Sequence, residues 1–485
     1  MSVILEALMP NHSTAPSDDV LDHIKTILGR GGWKDGAEAI SYFDDPRGRF
    51  CGAAFLVVLP ESTQQVSEIV SLCNREKIAL IPYGGGTGVV AGQLSIETEN
   101  MLILSLERMN SISEVSEDDC TVTVQAGCIL AHLHAAADEK GLQFPLSMAS
   151  KGSCSIGGNL ATNAGGIQVV RYGNTRDLCL GIEAVLPCGS ILSDLSPLHK
   201  DNTGYDLKHL LIGSEGTLGV ITAATFKLTP LDPETVTMLC AVASPAAALA
   251  LYKKLRVDLR ESISALELMS DFGLELVASC FSDLKNPFEQ THSWYVLIEA
   301  SGAEGIIDQA LDAMAACLET GLVQDAVIAQ SDTQRATLWR LRENTPEANR
   351  LSGAFVSSDT SVPISKVEAF IHATCAAVKA INPDLRVNTY GHIGDGNIHH
   401  NILPPQGVTK AAFLKAEPDA AERIRMVIND ATVQFGGSIS AEHGIGRLKT
   451  QDLEAYVTPV KQRALKAIKF ALDPNNIMNP GAVLR

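Results

Sequence analysis

The 485-residue sequence predicts an α+β protein of two or three domains. Three observations predict it. A strand, an amphipathic helix and a second strand follow one another between residues 53 and 82 and open into a glycine turn. A segment rich in proline and polar residues, LTPLDPET at 228–235, then interrupts the pattern. Beyond it, strands and helices alternate with no second loop of the same kind.

In the first unit, AAFLVVLP (53–60) is a short apolar run that ends on proline. Ser62 and Gln65 stand three apart, the spacing of a capping box, at the head of a stripe formed by Val66, Ile69, Val70 and Cys73. That i, i+3, i+4, i+7 spacing is one face of a helix. The apolar run at 78–82 leads into Pro82-Tyr83-Gly84-Gly85-Gly86-Thr87-Gly88, which completes a β-α-β unit. Strand-like runs at 101–106 and 121–124 and a helix near 129–139 extend the unit to about residue 230. After the proline-rich segment, YVLIEAS reads as a strand and 306–317 as an amphipathic helix of an α+β domain.

Hydrophobic residues are 46% of the chain and charged residues 19%, which argues against long disordered tracts. The net charge of -18 disfavours a nucleic-acid surface, because binding phosphates takes clustered Lys and Arg. Eleven cysteines contain no C-x-x-C pair, so reduced, packed thiols in a cytoplasmic protein are expected. The N-terminus shows no secretory leader, and no apolar run is long enough to span a membrane. Peripheral contact with a respiratory membrane stays open.

The loop at 82–88 lacks the G-x-G-x-x-G pattern and the acidic residue about 20 positions on, so an NAD site of the Rossmann kind is disfavoured. Its glycines remove the Cβ atoms that would stop N–H groups converging on a phosphate; a tight turn alone is the plainer alternative. Two further glycine segments, 152–166 and 201–219, suit a long cofactor lying extended against backbone. Together PYGGGTGVVAGQ, SIGGNLATNAGG, VRYGNTRD, NTGYDLKHLLIGSEGTLGVIT and DPNNIMNPGAVL resemble the FAD-binding segments of vanillyl-alcohol oxidase type flavoproteins. The likeness is to the branch of D-lactate, glycolate and D-2-hydroxyglutarate dehydrogenases, and it runs from about residue 50 to the C-terminus.

That resemblance implies a two-part FAD-binding domain, an α+β substrate cap and a C-terminal segment returning to the flavin. The expected boundaries are 1–48 for an N-terminal helical segment, 49–232 for the FAD domain, 233–440 for the cap and 441–485 for the return. It implies FAD contacts from Pro82, Gly84, Gly85, Gly86, Thr87 and Gly88. A second group is Ser155, Ile156, Gly157, Gly158, Asn159, Asn163, Gly165 and Gly166; a third is Gly216, Ile221 and Asn479. Members that hold FAD covalently through the first loop carry a His near the position of Thr87, so non-covalent FAD is expected here.

A second constellation lies in TYGHIGDGNIHHN (389–401) and SAEHGIGR (440–447). Two imidazoles and a carboxylate are a ligand set for Zn²⁺ or Mn²⁺, although histidines that merely stabilise turns would give the same spacing. If 397–401 is a strand, His399 and His400 point to opposite faces and only one can serve the site. The resemblance implies His392, His399 and Glu442 as metal ligands, His443 as general base and substrate contact, and Asn401 and Arg342 as substrate contacts. A guanidinium suits a carboxylate because it binds in a bidentate manner. Arg340 reads as a solvated helix residue. Pro346 and Ser357 replace a hydroxyl residue and a lysine of the hydroxyglutarate pattern, which weakens the case for that substrate.

The expected activity is oxidation of a D-2-hydroxy acid to the 2-oxo acid, with hydride passing to flavin N5. An electron-transfer flavoprotein, quinone or cytochrome would take the electrons, and a homodimer is left open. Two alternatives are a non-redox alkylglycerone-phosphate-type synthase, which has a run of histidines where AEHGIG has one, and a metal-dependent hydrolase.

Overall fold

The computed structural model describes residues 16–96 and 100–485; most of the stretch read for a leader lies outside them. The chain forms two compact units. The first takes in the chain up to Gly165, then Asn174–Leu231 and Glu442–Arg485; the second takes in Gly166–Gly173 and Asp232–Ala441.

In the first unit β1 (Leu56–Val58), α1 (Thr63–Glu76) and β2 (Ala79–Tyr83) form in the expected order. Ser62 Oγ accepts the N–H of Gln65 at 3.2 Å, and the Gln65 side chain accepts the N–H of Glu61 at 2.9 Å. Two N–H groups at the helix start are thereby paired. Val66, Ile69, Val70 and Cys73 are fully buried in a core shared with β1 and with β3 (Met101–Ser105). Burying each such side chain contributes about 1.5–3 kcal/mol. β1 and β2 flank β3, both parallel to it, and the two-residue strand Trp33–Lys34 adds an antiparallel edge.

A second, antiparallel sheet contains β4 (Thr121–Gln125), β5 (Cys179–Val185), β6 (Ile191–Asp194) and β7 (Val220–Lys227), in the order β4-β7-β5-β6. The C-terminal segment pairs with the first sheet: Leu80 N donates to Ile477 O and Asn479 N donates to Leu80 O. That return is fastened by the last helix, Pro459–Leu472, whose Lys469 ammonium is buried. The ammonium donates to Asp473 Oδ2 at 2.6 Å, Met478 O at 2.8 Å and Thr217 O at 2.9 Å, which uses all three of its protons.

The second unit is built on one large sheet. Its strands are β8 (Glu234–Val242), β9 (Ile263–Ser270), β10 (Trp294–Gly302), β11 (Asp325–Ile328), β12 (Val356–Ser357), β13 (Arg386–His392) and β14 (Asn397–Leu403). They are ordered β11-β8-β10-β9-β13-β14-β12, with Thr360–Ser361 also on β14. One face is covered by α2 (Pro245–Leu259), α4 (Ile306–Glu319) and α7 (Val367–Ile381). The other is covered by α3 (Asp271–Cys280), α5 (Asp332–Glu343) and α6 (Thr345–Leu351). Burial on both faces explains why YVLIEAS is a continuous apolar run rather than an alternating one. All eleven cysteines are free thiols. Among the described residues no helix is long and apolar enough to cross a membrane.

Candidate active site

A cavity of about 820 Å³ lies within the first unit, in the size range of cofactor sites. Pro82, Gly84, Gly85, Gly86, Thr87 and Gly88 line it, with Ser155, Gly157, Gly158, Asn159, Gly165, Gly216 and Ile221. The three glycine segments therefore meet at one wall. Ile156, Asn163 and Asn479 are not among the lining residues. Ile156 is fully buried in the core, and Asn163 Oδ1 accepts the N–H of Arg176 at 3.0 Å. Asn479 ties Gly92 O, Glu215 O and Arg447 Nη2 together at 2.7–2.9 Å. Gly166 belongs to the second unit.

The glycines also do a packing job. A Cβ on Gly85 would stand 2.0 Å from Ser153 O, and one on Gly216 (φ +71°) would stand 2.9 Å from Pro82 Cγ. Their missing side chains let the three segments pack on one another, and the N–H groups of the wall follow from that packing. The donor set fits FAD on one further observation: Asn159 Nδ2 is buried on this wall with no hydrogen-bond partner among the described residues, as a group reserved for a ligand would be.

The cavity also has a polar wall that sequence reasoning missed. Tyr42 Oη donates to Glu107 Oε2 at 2.6 Å and accepts from Lys34 Nζ at 2.8 Å. Burial, then Glu107, pushes the phenol pKa up. No spacing signal announces the trio, because Glu107 lies 65 and 73 residues from its partners.

Glu442 and His443 also line the cavity. Their segment is clamped by Glu215, whose carboxylate oxygens accept the N–H groups of Ile445 and Gly446 at 2.7 Å each. Burial pushes the Glu215 pKa up against the effect of those two bonds. His443 Nε2 stands 3.7 Å from Glu442 Oε1, too far for a hydrogen bond.

The second unit carries its polar groups on one sheet face. Strand alternation sends Asn397, His399 and Asn401 of β14 to that face and Ile398, His400 and Ile402 to the other. The cross-strand pairs His392–Asn397, Tyr390–His399 and Asn388–Asn401 stack along it. The His392 and His399 rings lie 5.7 Å apart, edge to face. Ser357 Oγ donates to Asn401 Oδ1 at 2.5 Å. His400 packs against Phe370 of α7 on the opposite face, both ring nitrogens without a partner among the described residues, and burial pushes its pKa down to about 3.

Arg342 reaches the polar face from α5, which is docked by Glu299. That carboxylate accepts from Trp339 Nε1 at 2.8 Å and Arg335 Nε at 2.9 Å. Arg342 lies two turns beyond Arg335. Its side chain is 7% exposed, its Cζ stands 4.8 Å over the Tyr390 ring, and its Nε donates to Glu267 Oε2 at 2.7 Å. The other Glu267 oxygen pairs with His392 Nδ1 at 2.6 Å. Burial pushes the Glu267 pKa up; His392 and Arg342 outweigh it and bring it down to about 2. Sequence reasoning missed Glu267, although a single acidic residue inside ISALELMS was a visible signal. Arg340 pairs with Asp283 at the surface.

The cavity, its three glycine segments and the returning tail are the parts of an FAD-binding unit. Residues 54–194 match an FAD binding domain, and residues 231–483 match the C-terminal domain of FAD linked oxidases. A D-2-hydroxyglutarate dehydrogenase of Xanthomonas citri pv. viticola is 41% identical over 88% of each chain. A putative mitochondrial D-lactate dehydrogenase of Schizosaccharomyces pombe is 35% identical over 97% of this chain and 91% of its own. The solved 4-ethylphenol oxidase of Gulosibacter chungangensis shares the fold with a TM-score of 0.74 at 20% identity, over 97% of this chain and 98% of its own. The chain belongs to the family of FAD-linked D-2-hydroxy acid dehydrogenases. It is an FAD-dependent oxidoreductase acting on CH–OH donors, which sets aside the hydrolase and synthase alternatives.

Proposed function

We propose that the enzyme oxidises D-2-hydroxyglutarate to 2-oxoglutarate, with the substrate's 1-carboxylate held by Arg342. The observation that carries the carboxylate reading is the state of that guanidinium. It is buried, anchored through Nε alone, and among the described residues its terminal nitrogens make no hydrogen bond to the protein. The Nη edge is therefore the part of a mostly buried guanidinium that is still accessible, which is what bidentate pairing with a ligand carboxylate needs. The choice of glutarate is supported by relatives of that name at 35–41% identity.

His443 would take the hydroxyl proton, a role suited to an imidazole, while Asn401 contacts the substrate. The glycine wall would hold FAD, without a covalent bond because Thr87 offers none, and the flavin when bound would supply the hydride acceptor at N5. His392, His399 and Glu442 would hold Zn²⁺ or Mn²⁺, which supplies a Lewis acid for the alcohol; the facing imidazoles of β13 and β14 suit that use. A quinone, cytochrome or electron-transfer flavoprotein would reoxidise the flavin.

One observation favours a shorter acid such as D-lactate. Ser357 stands where a lysine would meet a distal carboxylate, and its hydroxyl is already engaged with Asn401. The test is anaerobic bleaching of the bound flavin by a panel of D- and L-2-hydroxy acids, on a preparation whose flavin is released by acid. D-2-hydroxyglutarate is expected to bleach it at the lowest concentration and its L-enantiomer not at all. Bleaching by D-lactate at lower concentration establishes the shorter acid, and bleaching by neither sinks both.

A further inference from the structure

Glu267 is a fully buried carboxylate in a strand of otherwise apolar or small residues, with Leu266 and Leu268 facing the other core. Taking an ion out of water costs several kcal/mol, so a strand keeps one only with partners in place. Glu267 divides its two oxygens between two groups from distant elements: Arg342 of α5, 75 residues on, and His392 of β13, 125 residues on. Each is a residue of the proposed substrate face.

The consequences differ at the two ends. At Arg342, the bond to Nε and the Tyr390 ring beneath Cζ fix the plane of the guanidinium and leave its Nη edge to a ligand. At His392, a carboxylate oxygen can only accept, so Nδ1 carries a proton and Nε2 is the ring nitrogen turned away from Glu267.

We propose that Glu267 is the positioning residue of the substrate face: one oxygen aims Arg342 at the substrate carboxylate while the other fixes the tautomer of His392. The proposal rests on the reading of Arg342 as carboxylate anchor. It explains why a carboxylate is kept where an apolar residue would pack, since no uncharged side chain of that size accepts from both partners.

Glu267→Gln tests it, because an amide offers one acceptor and one donor and cannot serve both partners as a carboxylate does. In the FAD-loaded enzyme the KM for D-2-hydroxyglutarate is expected to rise about 10- to 100-fold, the usual cost of losing such a supporting group. In an Arg342→Ala background the same substitution is expected to change KM by less than it does in the wild type, because there is no guanidinium left to aim and only the effect through His392 remains. Ring ¹⁵N shifts of histidine-labelled protein, with His392 identified by His392→Gln, are expected to show Nδ1 protonated in the wild type; in Glu267→Gln the amide NH2 faces either Arg342, with KM raised and Nδ1 still protonated, or His392, with the proton moved to Nε2 and Arg342 still aimed. Wild-type His392 with its proton on Nε2 alone overturns the proposal, even if the variant fails to fold. So does a Glu267→Gln enzyme with wild-type KM and tautomer, or full additivity with Arg342→Ala. An Arg342→Ala enzyme with unchanged KM overturns the anchor reading, and the proposal with it.

Discussion

The two units present their polar groups with different materials. The first builds a wall from backbone, where three glycine segments pack so closely that a Cβ at Gly85 or Gly216 would strike its neighbour. The second presents side chains on one sheet face, among them Glu267, Arg342, His392 and His399. A backbone wall holds a large cofactor through many weak contacts and tolerates the loss of one. A charged face depends on each member, because a buried ion stripped of its partner stays uncompensated.

The sharpest way to break this contrast is at Glu442 and His443, two side chains that the first unit brings to its cavity. His443→Ala is expected to lower turnover by two to four orders of magnitude, the range for a general base, while FAD and metal content stay at wild-type levels. Glu442→Ala is expected instead to lose metal, with partial recovery on adding Zn²⁺ or Mn²⁺. Metal lost equally from both variants would make His443 a ligand; metal lost from neither, in an enzyme indifferent to chelators, would remove the metal site.

A buried ion pair tests whether the backbone unit has a weak point. Asp473→Ala leaves the Lys469 ammonium buried with two carbonyls and frees the N–H groups of Ile477 and Met478. A loss of about 3–5 kcal/mol in unfolding free energy is expected, read by urea denaturation of the holoenzyme. A loss under about 1 kcal/mol would mean that the returning tail is held elsewhere.

The smallest effect compares the two faces of β14. His400 lies in an apolar core with neither ring nitrogen paired, so His400→Leu is expected to raise stability by about 1–3 kcal/mol with turnover unchanged. A destabilised variant would mean that His400 has an unrecognised polar role.

The same contrast governs what could be read from the sequence. The β1-α1-β2 unit was legible because its signals are local: a cap at Ser62, a stripe of four residues, a proline-bounded run and a glycine turn. The opposite facing of His399 and His400 followed from strand periodicity alone. Residues joined across long stretches were not legible: nothing in spacing links Lys34 and Tyr42 to Glu107, or His392 to Glu267. The glycines were visible, yet the packing of Gly85 and Gly216 against their neighbours was not, since a single segment does not show what lies against it.

The central claim is that the substrate's carboxylate is held by the side-chain face while FAD is held by the backbone wall. Rapid-reaction flavin reduction in Arg342→Ala tests it most directly, giving the dissociation constant for D-2-hydroxyglutarate separately from FAD content. FAD content and visible spectrum are expected to stay at wild-type values while that constant rises about 100-fold or more, the order of 3 kcal/mol for truncating one partner of a buried charged pair. A variant that binds substrate as the wild type does, or that loses FAD together with substrate, would contradict the account.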